Sequence, residues 1–460
     1  MNLTVIGTGH VGLVAGLCFA EIGHQVVCVD SDTAKIDSLQ QGRLPFFEPH
    51  LDDLLERNRK ESRLRFTSSL QEGVDHGRVL FLCVGTPPFP TGQPDLSAVE
   101  QVSRQIADLA GSDKLVVEKS TVPALSGTRI EQTLQLYQRG GVRFEVASNP
   151  EFLSEGTAVA DFLHPSRIVL GVESEQAETL LRDVYESILR QEFAWRLPSA
   201  DPQPNREIPL VVTNRSSAEL IKHASNSFLA MKISYINAVA NLCDQVGGDI
   251  KKVAEGMGYD PRIGAQFLQA GIGFGGFCFP KDLQAFVRIA EDNGCDFRLL
   301  REVERVNSNQ LEVFLGKLCK ALWIVKGKTI AVWGLAFKAH TDDLRFSPAM
   351  TVAGRLLEEG ASVRAYDPQA MPFAAARLPA IELCSSAMEA AEGADAVLLL
   401  TDWPEFLELD LERLRQLMTR PLLLDGRNLF DPATVRLAGF DYVAMGRTGP
   451  APLHNSAPVL

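Results

Sequence analysis

An α/β architecture of two doubly wound parallel sheets joined by a long central helix is what the sequence predicts. Three observations carry that expectation. Near the N-terminus an apolar strand, Leu3 to Ile6, runs into Gly7-Thr-Gly9-His10-Val11-Gly12 and then into helical spacing from Leu13 to Ile22. From Thr329 onward a second series of apolar strands repeats that strand-to-loop order without the glycine pattern. Between the two series, helical spacing holds from Ser216 to Val246 until Gly247-Gly248 stops it. At 1.5 Å per residue such a helix is roughly 45 Å long, longer than one domain needs.

Taken in order, the first strand and its glycine turn form a dinucleotide-binding unit of Rossmann-like type. Gly7 makes the tight turn, Gly9 admits a pyrophosphate, Gly12 packs helix on strand, and the helix start faces the phosphates. The second strand, His24 to Val29, ends in Asp30, which can bind both ribose hydroxyls and would repel a 2′-phosphate. NAD is therefore expected rather than NADP. Three more strands end in small polar residues, where an open parallel sheet binds ligands: Val79 to Val84 before Gly85-Thr86-Pro87, Leu115 to Glu118 before Lys119-Ser120-Thr121, and Phe144 to Ser148 before Asn149-Pro-Glu151. Residues 198–209 carry four prolines and read as a surface loop. Ser216-Ser-Ala-Glu219 then has the pattern of a capping box for the long helix. In the second series Thr329 to Trp333, Ser362 to Tyr366, Ala396 to Leu400 and Pro421 to Asp425 are the strands, with Lys338, Arg345 and Arg427 at or beyond their ends, where a phosphate would lie.

At 460 residues the chain has room for two or three domains. The divisions expected are 1–213 (NAD binding), 214–320 (central, helical, carrying a cysteine loop), 321–447 (a second nucleotide-type domain) and a tail at 448–460. A net charge of −13 argues against general nucleic-acid binding and against a membrane surface. No run reaches the roughly 18 uninterrupted apolar residues of a membrane span. The eight cysteines are scattered without C-x-x-C or paired His/Cys spacing, so no metal site is expected and a reduced, cytoplasmic setting is.

The chemistry concentrates in Gly271-Ile-Gly-Phe274-Gly275-Gly-Phe277-Cys278-Phe-Pro-Lys281-Asp282. Glycines let the backbone approach a ligand, and a nearby cation favours the thiolate, the nucleophilic form. A glycine-rich turn with a buried cysteine is the plainer reading of such a stretch alone. On the long helix Lys222 and Asn226, four residues apart, share one face and could donate to an oxyanion, although a lysine there is more often solvated. Glu151 and Glu155 are also four apart, and a solvated helix start is their plainer reading.

Together these motifs resemble the UDP-glucose dehydrogenase family, within the wider nucleotide-sugar dehydrogenases. The resemblance runs from Gly7 to Asn428 and includes Lys119-Ser-Thr-Val-Pro, Asn149-Pro-Glu-Phe-Leu-Ser-Glu-Gly, Arg262-Ile-Gly, Trp333-Gly-Leu-Ala-Phe-Lys and Asp425-Gly-Arg-Asn. It implies NAD-dependent four-electron oxidation of UDP-glucose or a related nucleotide sugar. Cys278 is then the nucleophile, Lys222 and Asn226 stabilise the oxyanion, Asp282 positions a water, Glu151 activates the hydrolytic water and Thr121 holds it. Cofactor contacts implied are Gly7, Gly9, His10, Val11, Gly12, Asp30, Lys35, Gly85, Thr86, Pro87, Ser120, Thr121, Glu155, Lys281 and Arg345. Substrate contacts implied are Glu151, Phe152, Leu153, Glu155, Lys222, Asn226, Phe274, Gly275, Phe337, Lys338, Arg427 and Arg262, the last from a partner subunit of a homodimer or higher oligomer. A GDP-mannose or UDP-N-acetylmannosamine dehydrogenase, and an NAD-sensing regulatory protein, are the alternatives. Two departures stand out: Phe277 replaces the small residue usual before the nucleophile, and the proline-rich loop is long. With Lys222 assigned to transition-state charge, its removal is expected to slow turnover and leave stability nearly unchanged.

Overall fold

Two strand-rich units emerge from apolar segments short enough to be crossed by alternating side chains. A computed structural model describes residues 1–89, 92–195 and 207–447. Most of the proline-rich stretch and the 448–460 tail lie outside the described residues. One unit comprises Met1–Ser225 with Gln284–Cys295, and the other Asn226–Leu283 with the chain from Asp296 onward.

The first unit holds an eight-stranded sheet: β1 (Asn2–Ile6), β2 (Gln25–Val29), β3 (Leu64–Thr67), β4 (Val79–Leu82), β5 (Lys114–Glu118), β6 (Phe144–Ser148), β7 (Ile168–Gly171) and β8 (Leu210–Thr213). Their order is β3-β2-β1-β4-β5-β6-β7-β8, parallel except for one antiparallel contact between β6 and β7. Alternation distributes the apolar side chains to both faces. Leu3, Val5, Val26, Cys28, Val79, Phe81, Leu115 and Val117 enter one buried cluster, and Ile6, Val27, Val29, Leu80, Leu82 and Val116 the other.

The second unit holds β9 (Thr329–Trp333), β10 (Ser362–Tyr366), β11 (Glu382–Leu383), β12 (Ala396–Leu399), β13 (Leu422–Asp425) and β14 (Asp441–Ala444), in the order β11-β10-β9-β12-β13-β14. Both sheets thus share the 3-2-1-4-5-6 succession of a doubly wound nucleotide-binding fold, the first with two strands added. Both chain reversals place the first and fourth strands side by side, so the strand-end loops of each sheet gather at its switch point.

The long helix spans Arg215–Val246, within one residue of the sequence expectation. Its capping differs from that expectation. Asn214, not Ser216, caps the start, its Oδ1 accepting from Ser217 N at 2.8 Å. Glu219 turns away from its own helix: its carboxylate accepts from Leu125 N at 2.7 Å, Gly127 N at 2.8 Å and Ser148 Oγ at 3.1 Å. It therefore closes the N-terminus of the helix Ser126–Tyr137, whose unpaired N–H groups attract an anion more strongly than a local box does.

Candidate active site

In the first unit the glycine turn shows why each glycine is needed. Gly7 has φ +99, and a Cβ there would meet Cys83 O at 2.5 Å. A Cβ at Gly12 would lie 1.9 Å from Gly7 O, whereas nothing stands within 4 Å of one at Gly9. Gly7 and Gly12 are closed by packing and Gly9 is open. His10 begins the helix His10–Glu21, stacked on Phe46 with centroids 3.9 Å apart, and Val11 packs into the core beneath.

Asp30 follows β2 as expected. Its Oδ2 accepts from Thr8 N at 2.8 Å, Thr8 Oγ1 at 2.6 Å and Lys35 Nζ at 2.9 Å. Burial alone would raise its pKa, but the bonds from Thr8, Asp32 and Lys35 together outweigh that and hold it at about 2. A carboxyl lowered in the folded state stabilises above its unfolded value, near 3.8, and that contribution is lost as pH falls through about 2. The space beside Gly9 lets an anion approach the backbone at the helix start, and a ribose would face Asp30, so these residues fit NAD. The structure also sharpens the cofactor expectation, since Asp30 pairs with Lys35, a cation that would otherwise be available to a 2′-phosphate. Asp30→Ala is expected to lose affinity for NAD and, by releasing Lys35, to gain on NADP. Comparing kcat/KM for the two cofactors before and after the change tests this, and equal values in the unmodified protein would defeat it.

The loops after β4, β5 and β6 are tied to one another. Thr86 Oγ1 donates to Thr121 O at 2.9 Å, and Ser120 Oγ to Val84 O at 2.8 Å. A Cβ at Gly85 would meet nothing within 4 Å, and Pro87 O accepts from Asp95 N at 2.7 Å. His223 Nε2 lies 2.8 Å from Val122 O, which anchors the Thr121 backbone to the long helix.

Glu151 and Glu155 do not begin a helix; the next one is Ala158–Leu163. Glu151 is buried and accepts from Lys222 Nζ at 2.8 Å and Leu153 N at 2.5 Å. Lys222 is 3% exposed, so it is no solvated charge. This overturns the expectation that losing Lys222 leaves stability unchanged, because Glu151 would be stranded. Phe152 lies under the Arg167 guanidinium at 3.6 Å and within 5.6 Å of Lys222 Nζ. Glu155 sits half-buried in the turn that follows.

In the second unit Cys278 is the first residue of the helix Cys278–Asp292 and is half-buried. Unpaired N–H groups at a helix start tolerate a sulfur anion best. Burial pushes the thiols of Cys18, Cys28 and Cys83 up, that of Cys83 to about 12, which disfavours their thiolate forms. Lys281 and Asp282, one turn on, are both buried and 3.2 Å apart. Asn226 Nδ2 donates to Asp282 Oδ2 at 2.6 Å.

The glycine run is braced from three directions. Gly271 N donates to Asn237 Oδ1 at 2.8 Å, and Gln310 Nε2 donates to Gly271 O at 2.8 Å. Asn307 binds both Phe274 N, at 2.8 Å, and Phe274 O, at 3.0 Å. A Cβ at Gly275 would meet Phe346 O at 2.3 Å, and one at Gly276, with φ +79, the Phe337 ring at 2.7 Å. Arg427 donates to Leu400 O, Gly273 O and Phe337 O at 2.8, 3.1 and 2.8 Å, tying the run to the second sheet's strand ends. Lys338 Nζ lies 5.5 Å from the Phe337 ring, and Arg345 is paired with Asp343 at 2.8 Å. Arg262 is exposed and paired with Asp260 at 2.6 Å.

Sequence reading missed Asn237, Asn307, Gln310 and His223. A signal was present for three of them: Asn237 is eleven residues, about three turns, from Asn226 on one helix, and Asn307 and Gln310 are three apart on another.

A dinucleotide turn on one doubly wound sheet, a second such sheet without that turn, and a thiol at a helix start define an oxidoreductase of the nucleotide-binding type. Comparison with known proteins narrows this. Residues 1–189 match the NAD binding domain, 216–309 the central domain and 331–432 the UDP binding domain of the UDP-glucose/GDP-mannose dehydrogenase family. The chain belongs to that family, and NAD is its cofactor. It is 44% identical to UDP-glucose 6-dehydrogenase of Pseudomonas aeruginosa, covering 97% of this chain and 98% of that one. It is 42% identical to UDP-glucose 6-dehydrogenase TuaD of Bacillus subtilis, over 97% of this chain and 93% of that protein. The solved structure of a UDP-glucose dehydrogenase from Pyrobaculum islandicum is similar with a TM-score of 0.88 at 37% identity, covering 97% and 98% of the two chains.

Proposed function

We propose that the chain oxidises UDP-glucose at its primary alcohol, through the aldehyde, to UDP-glucuronate, with Cys278 as covalent nucleophile. The position of Cys278 carries this reading: a half-buried thiol on the first residue of a helix, with Lys281 and Asp282 one turn on. When bound, NAD supplies the acceptor for each of the two hydrides.

The first oxidation removes the alcohol proton and a hydride, leaving an aldehyde. An aldehyde cannot lose its remaining hydride until its carbonyl carbon gains another heteroatom. The Cys278 thiolate supplies it, forming a C–S bond while Lys222 and Asn226 donate to the oxygen that becomes negative. Loss of the second hydride leaves a thioester. Water, held by Thr121 and deprotonated through Glu151, adds to the thioester carbon; the C–S bond breaks and the thiolate returns. Asp282, held by Asn226, positions the water that takes up the alcohol proton. Arg427, Lys338 and Phe337 lie at strand ends of the second sheet, where the nucleotide is assigned.

UDP-glucose is favoured over other nucleotide sugars by the named relatives at 42–44% identity, whereas a UDP-D-ManNAc dehydrogenase structure from Pyrococcus horikoshii is 29% identical. NADH absorbance across UDP-glucose, GDP-mannose and UDP-N-acetylmannosamine separates the substrates, and no turnover of any would favour the NAD-sensing alternative.

We assign a homodimer on the long helix, with Arg262 completing the partner's site. Phe228, Tyr235 and Leu242, spaced by seven, are 57, 56 and 59% exposed and form one apolar stripe. The described residues contain no helix long and apolar enough to cross a membrane, and the free thiols fit the reduced cytoplasm. Sedimentation at assay dilution is expected to give at least a dimer; a fully active monomer would rule the assignment out.

A further inference from the structure

Phe277 stands directly before Cys278. Its half-buried ring is faced by two cations, with Arg345 Cζ 4.5 Å and Lys281 Nζ 5.6 Å from the ring centroid. Both lie inside the roughly 6 Å at which the negative face of an aromatic ring attracts a cation. Lys281 is one helical turn from Phe277, is 6% exposed and pairs with Asp282, whose other oxygen accepts from Asn226. Asp343 grips the Arg345 guanidinium, with Nε at 2.9 Å from both carboxylate oxygens. The ring is thus shared between two cations that are each already held by a carboxylate.

We propose that Phe277 is a positioning residue for the nucleophile: its ring face holds Lys281 and Arg345 against the residue that adjoins Cys278, and through Lys281 steadies Asp282. The assignment rests on Cys278 being the nucleophile of the reaction above. Lys281 and Asp282 are three and four residues beyond Cys278 and so share its helix face. A cation fixed there favours the sulfur anion during attack, whereas a mobile one spends that charge on solvent. A small residue at 277 would take the ring face away from Lys281.

The test is a fluorination series in the full-length protein. Phenylalanine at 277 is replaced by its mono-, di- and trifluorinated forms, which drain the ring face of negative charge while nearly keeping its shape. The rate constant for iodoacetamide alkylation of Cys278 is followed at one fixed pH by mass spectrometry of its peptide, beside kcat and the KM for UDP-glucose. Alkylation and kcat are expected to fall stepwise with fluorine count, by about three- to tenfold at the trifluorinated form, with KM within about twofold. Phe277→Tyr should keep the unmodified rates, and Phe277→Leu should fall as far as the trifluorinated form. A flat fluorine series with Phe277→Leu equal to the unmodified protein would overturn the assignment and reduce the ring to filler. Cys278→Ala run alongside reports separately on the reaction: acid formation by that variant would remove the functional reading, whereas its loss together with a flat series removes only the role of Phe277.

Discussion

Cys278→Ala is expected to make no UDP-glucuronate while still reducing the nucleotide aldehyde to the alcohol when supplied with NADH. The two half-reactions place different demands on the protein. Alcohol and aldehyde interconvert by moving a hydride and a proton, for which cofactor, base and oxyanion donors suffice. The second oxidation needs a carbon already bonded to sulfur. Cys278→Ser keeps a hydroxyl of similar size but far weaker acidity, so any intermediate it forms is an ester that hydrolyses slowly and leaves the sugar on the protein. Intact-protein mass spectrometry should show that adduct in the serine variant and none in the alanine variant. Of the free thiols, those of Cys18, Cys28 and Cys83 are buried with their pKa values pushed up, so none of them is placed to substitute.

Lys222→Met is expected to lower kcat by about 10² to 10³, the usual scale for losing one oxyanion donor. It should also lower stability by about 3 to 5 kcal/mol, because Glu151 loses the ammonium 2.8 Å away while both groups are nearly inaccessible. The two effects separate in the double variant Lys222→Met with Glu151→Gln. Removing both charges should restore most of the stability and none of the turnover. Denaturant unfolding beside steady-state kinetics checks both. Full turnover by folded Lys222→Met would make this lysine purely structural.

What the sequence made legible followed short-range rules. Strands β1, β4, β5, β9, β12 and β13 were readable because each is an apolar run ended by glycine or a small polar residue. The long helix was readable from periodicity and its Gly247-Gly248 stop. Strands β3, β7, β8, β11 and β14 were not: they lie at or next to the sheet edges, and β3 and β14 mix exposed with buried positions. Glu219 shows a local rule losing to a distant one: three residues after Ser216 it has the spacing of a capping box, yet two N–H groups more than 90 residues away in sequence claim it. Chemistry divides the same way. The nucleophile and its glycines are contiguous and therefore visible, whereas the Lys222–Glu151 pair joins positions 71 residues apart and no spacing announces it. The braces Asn237, Asn307 and Gln310 resemble ordinary polar positions on helices until the run they hold is seen.

The count of NADH formed per UDP-glucose consumed, with a carbonyl-trapping reagent present, tests the central claim most directly. A covalent path through Cys278 gives two NADH for each sugar nucleotide, UDP-glucuronate as the product and no trapped aldehyde. One NADH for each sugar nucleotide, with the aldehyde recovered in the trap, would contradict it.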